Sequence, residues 1–212
     1  MNAASSSGVV VGGAVRQGWW LVDEEAGSGR IVAGPYPDRA DAVWAADALE
    51  NPSHEEPAHQ GQVRPVYGVR RPDGGLGRRP SPQDWAWLGH LGEQLDRLPE
   101  DWDAGFPDDD PLATFVVEVT AALAEAGLQL HEPTGDGRAV GGVCLSPEPG
   151  LGGIVLTWRQ HDRMSVEQLP GSAAQELVQQ VMNRALADVL RLRGFEVGEF
   201  AGGTAHVVRP AA

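Results

Sequence analysis

The run Asp110-Pro111-Leu112-Ala113-Thr114-Phe115-Val116-Val117-Glu118-Val119-Thr120-Ala121-Ala122-Leu123-Ala124-Glu125-Ala126-Gly127 holds the clearest periodic element of the chain. Leu112, Phe115, Val116, Val119, Ala122, Leu123 and Ala126 recur at three- and four-residue steps, which on a helix makes one apolar stripe. Asp110 caps it, Pro111 fits the first helical position, and Gly127 takes the position just past the end. Such a stripe needs an apolar sheet or helix to cover it.

Downstream, Leu128–Glu132, Val140–Ser146 and Ile154–Gln160 read as three strands separated by turn-forming Thr-Gly-Asp-Gly and Pro-Glu-Pro-Gly-Leu-Gly-Gly. Ser172 and Gln175 form a capping box before a long helix whose Leu177, Val178, Val181, Met182, Ala185, Leu186, Val189 and Leu190 build a wide apolar face. Gly194 ends it, and Phe195–Phe200 with Thr204–Arg209 read as a closing hairpin. The order α-β-β-β-α-β-β predicts an antiparallel sheet with helices on one face. It resembles the secretion-chaperone-like domains, which include type III secretion chaperones and YbjN-like proteins, over 111–209 and in topology alone. That resemblance implies a partner-binding or dimer surface and no catalytic residues. Double-stranded RNA-binding domains share part of the order, but they need a basic helix end, and here Arg184, Arg191 and Arg193 are offset by Glu176 and Asp188.

Upstream, the chain reads as a second small α+β module. Val15–Asp23 and Arg30–Gly34 predict a hairpin stopped by Pro35 and Pro37, and Asp38 caps a helix carrying Ala42, Val43, Ala45, Ala46 and Leu49, with Trp44 beside them. Val63–Arg70 predicts a strand, placed at an edge because Pro65 lacks a ladder donor. Ser81-Pro82 starts a further helix with Trp85, Trp87, Leu88, Leu91, Leu95 and Leu98 on a broad arc. The fold class is therefore α+β in two modules, 14–99 and 111–212, after a leader of 1–13 and across an acidic linker of 100–110.

Charge supports that division. The 212 residues carry a formal −14. Residues 1–99 and 111–212 each contribute −4, while Glu100-Asp-Trp-Asp-Ala-Gly-Phe-Pro-Asp-Asp-Asp110 contributes −6. A surface of this sign repels phosphate backbones and anionic lipid, which argues against nucleic-acid and membrane partners. A DNA mimic needs carboxylates spread over a folded surface, and here the excess sits in one run. Asp108, Asp109 and Asp110 lack the alternating ligands of a calcium loop. All sixteen basic residues are arginine, a bias of high-GC bacterial genomes.

One cysteine, Cys144, makes no internal disulfide, and the start of the chain shows no signal segment, so the reading is cytoplasmic. Cys144 with His161 and Asp162 is the one nucleophile constellation the strands could assemble, against the plainer reading of a buried strand cysteine. His131 and His206 lack a third ligand, and His54 and His59, with Glu55 and Glu56 between them, do not form the helical zincin pattern, so no metal and no cofactor is expected.

The first module holds Trp19, Trp20, Trp44, Trp85 and Trp87, denser than so small a core needs. Adjacent Trp19 and Trp20 face opposite sides of a strand, so one is left for a partner or another surface. Trp19, Trp20, Trp85 and Trp87 are the partner-binding candidates. Arg70, Arg71, Arg78 and Arg79, beside glycines and a helix start, are the anion-binding candidates, with the acidic linker as their alternative occupant. No catalytic residue is assigned. The functional expectation is a non-enzymatic protein-binding or adaptor protein, chaperone-like or an immunity-type inhibitor, binding another protein or a second copy. A small enzyme of unrecognised mechanism and a nucleic-acid-linked regulator are the alternatives.

Overall fold

A computed structural model describes residues 17–24, 29–51, 62–105, 107, 110–132, 140–161 and 172–211. The protein has an α+β fold, and among the described residues there are two separate antiparallel sheets, each of four strands. Contacts divide the chain into two units, 1–86 and 87–212. The division falls inside a helix, at Ala86/Trp87, and not at the acidic run where the charge pattern places the linker. The leader lies outside the described residues.

In the first unit, β1 (Gln17–Asp23) lies between β2 (Arg30–Tyr36) and β3 (Val63–Arg70), and β4 (Leu76–Arg78) borders β3. β2 does not stop at Pro35 but continues to Tyr36, carrying two extra residues relative to β1. β3 is an inner strand, which corrects the edge placement drawn from Pro65. The prediction missed β4, which reaches only Gly68–Arg70, so no ladder runs along that flank of β3 where Pro65 sits.

Helix α1 (Arg39–Glu50) begins where the Asp38 carboxylate accepts the Asp41 N–H at 2.8 Å. It packs Ala42 and Ala46 on Trp19, Leu21 and Val63. Trp20 and Val22 alternate to the other face of β1 and are buried as well, so the central strand is covered on both sides. Trp44 does not join the core: the residue is 78% exposed.

Helix α2 (Pro82–Leu95) starts in the first unit and ends in the second. Its last turns serve the second unit's core: Gln94, 2% exposed, accepts the Leu130 N–H at 2.9 Å. The following turn contains Trp102, which is buried and donates its indole N–H to the Leu145 carbonyl at 2.9 Å. That anchored ring belongs to the second core, so the acidic run is not simply a solvated connector.

Helix α3 (Pro111–Glu125) buries Leu112, Phe115, Val116, Val119, Ala122 and Leu123, as its stripe predicts, and Gly127 closes it at φ +76°. The predicted strand Leu128–Glu132 is reduced to two bridges, Leu130 parallel to Val143 and Glu132 antiparallel to Val140. Then come β5 (Gly142–Glu148), a 3-10 turn (Pro149–Leu151), β6 (Gly153–Arg159), α4 (Ser172–Leu192), β7 (Glu196–Glu199) and β8 (His206–Arg209), in sheet order β5-β6-β8-β7. Both α3 and α4 contribute to one core with Val143, Leu145, Ile154, Leu156 and Val208.

The face of α4 is rotated from the one predicted. Leu177 and Val181 stand 60% and 57% exposed, whereas Asn183 is buried beside Leu186 and Leu190. The reason is local. β8 pairs with β6 only as far as Leu156, leaving the Trp158 peptide groups without a strand. Asn183 accepts the Trp158 N–H at 2.6 Å and Gln179 donates to its carbonyl. Hydrogen-bond satisfaction at the sheet outweighs burial of two aliphatic side chains.

Candidate functional site

The first unit gathers its notable side chains at one end of β1 and β3. Trp19 pairs directly with Tyr67 across the two strands, and the rings meet edge to face at 5.4 Å. Arg39, first residue of α1, places its guanidinium 6.0 Å from the Trp19 ring centroid, at the limit of a cation–π contact. From β4 the chain continues to Arg79, whose N–H bonds the Tyr67 carbonyl at 3.0 Å, and then to Ser81 at the start of α2. These residues surround an open groove of about 440 Å³ that Arg78 and Arg79 also line.

The position of Arg78 is fixed by backbone proximity. Gly68, its partner across β3 and β4, has no room for a side chain, since a Cβ there would lie 2.4 Å from the Gly77 carbonyl oxygen. The strands nest because this residue is glycine.

Three guanidiniums face one carboxylate in the groove, and that carboxylate is occupied. Asp84 accepts the Ser81 N–H at 2.7 Å while the Ser81 hydroxyl accepts the Asp84 N–H at 3.1 Å, a reciprocal cap. The Ser81 backbone bond first, then its side chain, and then the charge of Arg39 hold the Asp84 carboxyl below its usual range, against the opposing effect of desolvation. Arg78 has a 4.0 Å contact to Glu24, which also pairs with Arg64 at 3.4 Å.

Of the candidates drawn from the sequence, the groove collects Trp19, Arg78 and Arg79. Trp20 is 3% exposed and gives its indole N–H to the Gly68 carbonyl at 3.1 Å, so it is a core residue and not a binding surface. Trp85 stands 63% exposed on α2. Trp87 falls in the second unit, half-buried, its ring 5.9 Å from that of His90. Arg70 is exposed at the end of β3, and Arg71 turns back to Asp73 at 3.5 Å. Asp108 and Asp109 of the alternative acidic occupant lie outside the described residues. The sequence reading missed Arg39 and Tyr67, which pairing β1 with β3 would have brought to Trp19.

The cysteine constellation is not assembled. Cys144 faces Thr157 in the β5–β6 register, and with Gly142 opposite Arg159, His161 falls four positions further along, roughly 13 Å away at strand rise. Asp162 lies outside the described residues, as do His54 and His59. His131 engages the Val140 carbonyl at 2.7 Å beyond the edge of β5, whereas His206 is on β8, two strands across. Among the described residues no three of His, Cys, Asp and Glu are grouped to hold a metal ion. No described helix is long and apolar enough to cross a membrane.

Compared with protein-family models, with curated proteins and with solved structures, the chain finds no match.

Proposed function

We propose that this is a protein-binding protein whose first unit receives an acidic, extended segment of a partner in the groove over Trp19 and Tyr67. The observation that supports it is the convergence of Arg39, Arg78 and Arg79 around two aromatic rings in a chain of net charge −14. Carboxylates of an incoming segment would pair with the guanidiniums, and its apolar or aromatic side chains would lie against the rings. Trp44 and Trp85 add exposed aromatic area on the same unit, the residue type in which binding energy concentrates. The secretion-chaperone likeness of residues 111–209 enters the same proposal, as a second module with a partner-facing surface.

The test is fluorescence anisotropy with a labelled Asp/Glu-rich peptide carrying two phenylalanines. Saturable binding that weakens with salt, and falls about tenfold or more in Arg79→Glu, is the expected result. Equal binding of a lysine-rich peptide, or binding indifferent to ionic strength, would overturn the reading.

A further inference from the structure

A second cavity lies wholly within unit 2, along the outer edge of β5. It measures about 240 Å³, smaller than the roughly 300–1,000 Å³ of sites for drug-sized ligands. Leu98 and Pro99 give it an apolar wall, Leu130 and Val143 border it with backbone because their side chains are in the core, and Arg97, Arg159 and Cys144 give it polar groups.

The two arginines differ in how they are held. Arg97 donates to the Leu130 carbonyl at 3.0 Å and to the Gln129 side-chain oxygen at 3.2 Å, so it is positioned by neutral acceptors, and on its other side it lines a pocket with Glu93, Asp96 and Glu132. The Arg159 guanidinium has no hydrogen bond or ion pair among the described residues. His131 adds a third nitrogen group to the lining, which contains no carboxylate among the described residues.

Cys144 does not compete as an anion. Burial pushes its thiol pKa up, only partly countered by the charge of Arg159, so the sulfur is neutral near pH 7. The Leu145 N–H adds a donor at the same edge. Val143 bonds outward to Gln129 and His131, and two residues on, Leu145 turns its peptide groups to the same side.

We propose that this cavity is a binding site for a small organic carboxylate with a short apolar body, its carboxylate held by Arg97 and Arg159 and its apolar part against Leu98 and Pro99. Two guanidiniums make the fork-shaped donor set a carboxylate accepts, and the apolar wall favours a ligand with a hydrocarbon portion over a bare inorganic anion. The site is independent of the groove in the first unit.

The experiment uses the full chain with benzoate as probe, benzamide as its uncharged counterpart and inorganic phosphate as the bare anion. Saturation-transfer NMR gives the affinities. The sole cysteine gives a second readout, alkylation of Cys144 by iodoacetamide. Benzoate is expected to bind more tightly than benzamide or phosphate and to slow alkylation in a saturable way. Arg159→Gln, altering an exposed side chain, is expected to weaken benzoate about tenfold or more while leaving benzamide unchanged. Equal binding of benzoate and benzamide, tighter binding of phosphate, or an Arg159→Gln protein that holds benzoate as well as the wild type would each overturn the proposal. Should the thiol prove closed to the reagent, the NMR comparison decides alone.

Discussion

Trp20 and Trp102 each donate an indole N–H to a strand carbonyl, yet the two bonds do different jobs. Trp20 sits inside a sheet and reaches Gly68 on the strand already paired with its own. Because the Tyr67 carbonyl bonds Arg79 on the β4 side, alternation turns the Gly68 groups toward β1, where the ladder serves them too. Trp102 comes from outside its sheet. The Leu145 carbonyl it binds faces away from β6, on an edge that the bridge at Leu130 covers only as far as Val143. One indole reinforces a ladder, whereas the other stands in for a missing strand.

Replacing Trp102 should have the largest effect. Trp102→Ala removes a buried ring and opens the β5 edge together, and is expected to cost ~3–5 kcal/mol in urea unfolding. Trp102→Phe separates the terms: it keeps most of the packing, leaves the Leu145 carbonyl unpaired, and should cost ~1–3 kcal/mol. Hydrogen exchange followed by mass spectrometry should show the loss along β5.

Trp20→Phe should cost less, ~0.5–1.5 kcal/mol, because Gly68 retains its ladder partner. If it equals or exceeds the cost of Trp102→Phe, the distinction between reinforcing and replacing a strand is wrong.

The smallest effect concerns pH. The Asp84 carboxyl titrates below its usual range in the folded protein, so its contribution is present above the unfolded value and disappears as pH falls through the folded one. Asp84→Asn should therefore be less stable than the wild type at neutral pH, and the gap should close in acid. A gap that widens on acidification would contradict the cap as described.

Much of the fold follows from local pattern. The stripe of α3, the caps at Asp38, Ser81 and Asp110, and the turn at Gly127 all act within a few residues of themselves. What periodicity missed depends on partners far along the chain. Trp102 lies in an acidic, aperiodic run, and its importance appears only once Leu145 is known to need a donor. Asn183 looks like an interruption in an apolar helix until the Trp158 peptide is seen to lack a strand. The groove shows the same division: Trp19, Arg78 and Arg79 stood out by density, while Arg39 and Tyr67 acquire meaning only from strand register.

Gly68 contributes nothing to the groove by contact, but the seating of β4 against β3 depends on its missing methyl group. Arginine geometry at the rim is therefore set by the spacing of two backbones, so Gly68→Ala would displace the charges without changing one of them. That offers a way to ask whether a partner reads the amount of positive charge or its placement.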